Sequence, residues 1–151
     1  MKTRFLWFLL VAAPALWLFS SCHKSDHASP VSKLVGEWHG TKLIAFYYSN
    51  SQLIESDTAA VESPDYITFK FNSDSTVDVS ESINGSVESG TNYYTVTGDE
   101  IVFRETPDDS NTASEKYTIK GKQMEIVSIT TDTDANNNTI REELHIFLTK
   151  Q

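Results

Sequence analysis

Cysteine is nearly missing from this sequence: the 151 residues contain one, Cys22. That excludes a disulfide framework and leaves the rest of the chain without thiolate zinc sites or a catalytic thiol. Glycine and proline are also scarce, at six and four residues, and no glycine-rich loop opens a helical pattern to cradle a phosphate. No G-x-S-x-G elbow presents a nucleophile. Basic residues number 12 against 21 acidic ones, a net charge of −9. Such a balance repels nucleic acid and anionic head groups, so neither is an expected partner. Carboxylates are plentiful, but no spacing singles out an acid–base pair. The body of the chain has no helical period of ten or more residues. A non-catalytic protein without a cofactor is expected.

Long apolar runs are missing too. The longest, residues 5–19, follows the basic opening Met1-Lys2-Thr3-Arg4 and precedes Ser20-Ser21-Cys22. It falls short of the roughly 20 residues a membrane-spanning helix requires. A charged start, a short apolar segment and small residues before a cleavage point form a secretory signal. With Cys22 directly after two serines, the segment resembles the lipobox of bacterial lipoproteins, in the relaxed Bacteroidetes form that accommodates Phe19. The resemblance implies that residues 1–21 are a signal peptide and that Cys22 is lipidated. It also implies outer-membrane anchoring through that lipid alone, facing either the periplasm or the cell surface. Without Lys2 and Arg4, ten basic residues face 21 acidic ones, a net charge of −11. Residues 22–33 are polar and aperiodic and read as a flexible tether, leaving residues 34–151 as one domain.

From Leu34 onward apolar residues alternate with period two, the mark of half-buried strands. In DYITFKFNSDSTVDVS, Ile67, Phe69 and Phe71 share a face, Asn72-Ser73-Asp74-Ser75 supplies a turn, and Val77 and Val79 resume the apolar face. The stretches YTVTGDEIVF and YTIKGKQMEI repeat one pattern: a tyrosine, a glycine turn and two alternating runs. What they share is the inward residues and the turn glycines, while the outward residues differ, as Thr97 does from Lys120. Two hairpins of one meander fit this better than a duplicated reactive unit.

GEWHGTKLIAFYY reads as a first strand with Trp38, Ile44 and Phe46 on one face. The last strand carries Leu144, Ile146 and Leu148. About eight strands joined mostly by tight turns favour an all-β, up-and-down antiparallel barrel, because closure removes sheet edges. A two-sheet sandwich is the alternative. The link at residues 49–65 either lies over the open end as a lid or lengthens the neighbouring strands into a hairpin.

The order LVGEW, ITFKFNSDSTV, the paired tyrosine hairpins and a final IFLTK resembles the lipocalin-like domains of Bacteroidetes lipoproteins. Gly36-Glu37-Trp38 matches the lipocalin G-x-W motif. The resemblance implies that Trp38 plugs the closed end of an eight-stranded barrel and that Gly36 lets the backbone bend there. It also implies a basic residue packed over Trp38, with Lys150 and Arg141 as candidates. By analogy it implies binding of a small apolar or amphipathic molecule.

Such a barrel is either filled by side chains or holds one small ligand. Phe46, Phe69, Phe71, Tyr94, Phe103 and Tyr117 are the expected inward rings, serving as core or as ligand-binding wall. Lys42, Glu81 and Glu142 fall in register with apolar faces. An unpaired interior charge is costly, so each must reach solvent, a partner or a ligand. In the ligand reading Lys42 lines the cavity mouth and pairs with an acidic head group. If the barrel is filled, the role passes to a protein partner met by loops or outer face, as an accessory subunit or inhibitor. Asp132-x-Asp134-x-Asn136 resembles a calcium loop, but Asn137 replaces its glycine and no helices flank it, so it reads as turn material. The histidines show no metal-ligand spacing, and no metal is expected.

Overall fold

The computed structural model describes residues 30–151. A single helical turn, α1 (Pro30–Leu34), leads into nine strands: β1 (Gly36–Ser49), β2 (Gln52–Ala60), β3 (Tyr66–Phe71), β4 (Thr76–Ile83), β5 (Ser86–Thr97), β6 (Glu100–Arg104), β7 (Ala113–Lys120), β8 (Gln123–Thr133) and β9 (Thr139–Lys150). Every pairing is antiparallel. The strands run β1-β3-β4-β5-β6-β7-β8-β9, and β9 returns to β1 to close an eight-stranded barrel, with β2 as an extra strand on β1.

The turns follow from local backbone chemistry. Asn50-Ser51 and Asn84-Gly85 each place two residues at positive φ, the requirement of a type I′ hairpin turn whose twist matches the flanking strands. In the two tyrosine hairpins Gly98 and Gly121 take φ of 63° and 64°, which costs glycine nothing. The near-repeat is therefore a repeated corner, with β5–β6 and β7–β8 as its two copies.

Of the residues 22–33 expected as a tether, the structure describes 30–33, and these are not extended chain. Pro30–Leu34 is helical and buries Leu34 against Trp38, with Val31 packed on the same cluster. The cause lies in polar satisfaction: the Trp38 indole Nε1 donates to the Leu34 carbonyl at 2.7 Å, so the turn caps a buried donor.

β1 departs most from simple alternation. Gly40 pairs with Leu148 and Lys42 with Phe147, leaving Thr41 as an extra residue, a bulge. A bulge exchanges the two faces of everything beyond it. Trp38 and Gly40 face inward with Leu148. Past the bulge Leu43, Ala45 and Tyr47 face inward, opposite Ile146, Leu144 and Glu142. Ile44 and Phe46, expected beside Trp38, thus lie on the outer face, and so does Lys42.

The residues at 49–65 expected as either lid or hairpin extend the hairpin. β2 pairs with β1 from Lys42↔Ala60 to Ser49↔Gln52, and all nine of its residues are exposed. Below it, β3 takes over the same edge of β1 through Gly36↔Phe71 to His39↔Thr68. β1 thus has β9 along one edge and β2 then β3 along the other.

The fully buried side chains sit at one end. Leu34, Trp38, Phe71, Val77, Tyr94, Ile101, Met124, Ile126 and Leu148 form one cluster. Tyr94 meets Phe71 edge-on at 5.1 Å between ring centroids, and its hydroxyl donates to the Asn72 carbonyl at 3.0 Å.

Candidate functional site

The closed end is built around Trp38. Lys150 Nζ lies 5.1 Å from the indole ring and donates to the Lys33 carbonyl at 3.0 Å. Of the two basic candidates, Lys150 holds this position, while Arg141 stacks on Tyr48 at 4.2 Å and pairs with Glu143. Gly36 adopts φ of 128°, and a Cβ there would sit 2.7 Å from Lys150 Cε. Only glycine provides both the backbone turn and the space for the lysine stem.

Around this plug and above it the lining changes character. Tyr117, Phe69, Phe103, Val79, Val96, Ile119 and Ile146 pack on the cluster as partly buried residues. In the next layers the inward register positions are Glu115 on β7, Ser128 on β8, Leu144 on β9 and Ala45 on β1, then Thr130, Glu142 and Tyr47. On the opposite wall, alternation from Val77 and Val79 brings Glu81 inward, paired with Ile67 and with Glu88. None of Glu81, Glu115, Ser128, Glu142, Leu144, Ala45 or Tyr47 is fully buried.

In this upper lumen one carboxylate oxygen is short of a partner. Ser128 Oγ donates to Glu115 Oε1 at 3.0 Å, while Glu115 Oε2 is shielded from solvent and has no hydrogen-bond partner. Burial pushes the Glu115 carboxyl above its usual range, and the Ser128 hydrogen bond offsets part of that. Glu142, beside Tyr47, pushes the phenol upward through its charge.

The ring residues expected to face inward divide into three groups. Phe71 and Tyr94 are fully buried in the plug, and Phe69, Phe103 and Tyr117 pack against it. Phe46 lies outside, edge-on to His145 at 5.3 Å. Lys42 is outside as well, with Nζ 4.2 Å from the Phe147 ring, and lines a surface depression of about 350 Å³ with Lys120, Glu125 and Phe147. The proposed mouth lysine therefore does not reach the lumen, because the Thr41 bulge turned it over. Cys22, the expected lipidation site, lies outside the described residues.

The outer face also holds an arrangement that spacing did not reveal. His145 contacts Glu125 through Nδ1 at 2.7 Å and Glu143 through Nε2 at 3.0 Å. Both ring nitrogens donate only in the imidazolium form. Burial pushes this imidazole down, but the two carboxylates outweigh it and the net displacement is upward. Glu125 and Glu143 come from adjacent strands, a neighbourhood set by register and invisible in a linear reading. The Asp134 loop spends its carboxylate on its own backbone, accepting from the N–H groups of Asn136 and Asn138, and these bonds, with the Asn138 side-chain amide foremost, hold its pKa down. Among the described residues no three His, Cys, Asp or Glu side chains gather so as to hold a metal ion.

A closed eight-stranded antiparallel barrel, sealed at one end by a G-x-W tryptophan beneath a lysine, defines a lipocalin-like architecture. The family model described as lipocalin-like domain matches residues 34–133, and the chain belongs to that family. The match stops before β9, the strand that closes the barrel here. Among solved structures the chain is similar to an uncharacterized protein from Bacteroides eggerthii DSM 20697, at 15% identity and a TM-score of 0.44, covering 77% of this chain and 98% of that one. No curated protein matches the chain.

Proposed function

We propose that this protein binds a small amphipathic molecule in the upper half of its barrel, without catalysis, as a lipid-anchored protein of the bacterial envelope. The observation that carries the binding reading is the asymmetry of the interior. The fully buried side chains of the main cluster gather at the Trp38 end, whereas the inward residues of the upper layers, Ile67 apart, remain partly exposed. A barrel of eight strands has room for one small ligand where side chains do not fill it. The anchor rests on the Cys22 motif and the short apolar leader.

Native mass spectrometry after incubation with a lipid extract of the host tests the binding reading. A stoichiometric adduct that disappears on denaturation is expected; a folded chain that stays bare overturns it. Metabolic labelling with a palmitate analogue tests the anchor, and label lost in Cys22→Ala is the expected result.

One observation favours a second reading, a protein-interaction module. β2 is exposed along its length, with Leu53 54% and Ile54 63% accessible, and its outer edge is an unpaired strand edge. Such edges accept an added strand from a partner. A partner bound in this way would protect the β2 amides from hydrogen exchange.

A further inference from the structure

The charges of the barrel are sorted by face, and the sorting specifies what kind of molecule the lumen receives. Lys42, Lys70, Arg104, Lys116, Lys120 and Arg141 all alternate onto the outer wall. Among the described strand residues, Lys150 is the one basic side chain that points inward, and it is held over Trp38 at the closed end. Above it the inward ionisable groups are carboxylates and phenols: Glu81, Glu88, Glu115, Asp132 and Glu142, with Tyr47 and Tyr117. The carboxylates stand on different strands and on opposite walls.

A separate observation comes from Glu115. Its Oε2 is shielded from water, accepts no hydrogen bond, and faces a lumen that contributes no cation. An acceptor in that state is costly unless something supplies a donor. The same carboxylates are too dispersed to hold a metal ion, since no three ligating side chains gather among the described residues. A dispersed set of acceptors above an apolar floor of Phe69, Phe103, Tyr117 and Ile146 suits an extended organic cation, with its apolar part down and its ammonium up.

We infer that the lumen selects amphipathic ammonium compounds, with Glu115 and Glu142 receiving the cationic group and the aromatic layer above Trp38 receiving the apolar chain. This rests on the lumen-binding reading given above. It replaces the acidic head group expected of Lys42 with a basic one.

Calorimetric titration of the chain with three matched probes, octylamine, octanol and octanoate, tests it. Octylamine is expected to bind about tenfold or more tighter than octanol, the scale of one hydrogen bond to a charged group, with octanoate weakest. Glu115→Gln and Glu142→Gln should each remove most of the octylamine preference and leave octanol unchanged, with folding checked by circular dichroism. Glu125→Gln, on the outer wall, serves as a control and should change neither. Octanoate binding as tightly as octylamine overturns the inference, as does an equal loss in the Glu125 variant. Octanol matching octylamine also overturns it while leaving lumen binding intact. A folded chain that binds none of the three removes the lumen reading itself.

Discussion

At the scale of single residues, the closed end concentrates the stability. Trp38 is fully buried and its indole donor is satisfied, so Trp38→Ala should cost about 3–5 kcal/mol, read as a shift of the denaturant midpoint. Gly36→Ala should also destabilise, because φ of 128° is strained for any side chain and the new Cβ would displace Lys150. Two titrations make opposite predictions about charge. Burial raises the Glu115 pKa in the folded state. Its contribution to stability is therefore greatest below the ordinary carboxylate range and is lost as pH rises through the raised value. At neutral pH the ionised group is a cost, and Glu115→Gln should raise the melting temperature at pH 7, with the gain vanishing near pH 4. The His145 pKa is raised in the folded state as well, but there the charged form is the one held, by Glu125 and Glu143. Its contribution is complete below the ordinary imidazole value of about 6.5 and fades as pH climbs through the raised folded value. The melting-temperature advantage of the native chain over His145→Gln should therefore be larger at pH 6 than at pH 9.

At the scale of elements, β1 decides which residues see the lumen. Deleting Thr41 would remove the bulge and send Lys42, Ile44 and Phe46 inward while Leu43 and Ala45 turn out. The expected outcome is loss of a cooperative thermal transition. Much of the barrel is legible in the sequence. Alternation and turn residues place β3–β4, β5–β6 and β7–β8, because each has one apolar face and an unambiguous corner. β1 is mis-phased by the same reasoning, since Leu43-Ile44-Ala45-Phe46 is apolar at every position and periodicity cannot register an inserted residue there. β2 escapes it for the opposite reason. Its QLIESDTAA is exposed on both faces, and its pairing with β1, rather than a buried face, holds it as a strand. The site is legible in part. Glu81 and Glu142 stand out as charges within apolar alternation, whereas Glu115 sits between Ser114 and Lys116, where no apolar neighbour marks its face.

At the scale of the whole molecule, charge shapes both solubility and stability. The chain beyond residue 21 carries a net charge of −11, and self-repulsion of that kind weakens a compact state. Salt screens exposed charges over roughly 10 Å at 0.1 M. Raising sodium chloride from low levels to a few tenths molar should therefore raise the melting temperature, in contrast to a fold stabilised mainly by surface ion pairs.

The ladder between β1 and β9 joins Trp38 to Lys150 and Ser49 to Ile140. The barrel's last seam thus unites segments about a hundred residues apart, and contacts of such separation delay folding because the chain entropy is lost before the pairing is gained. A growing chain, emerging amino end first, holds β1 without β9 until β2–β8 have all been made. In that interval β1 is covered along one edge alone, by β2 and then β3, and the edge that completes the ring stays open until β9 arrives.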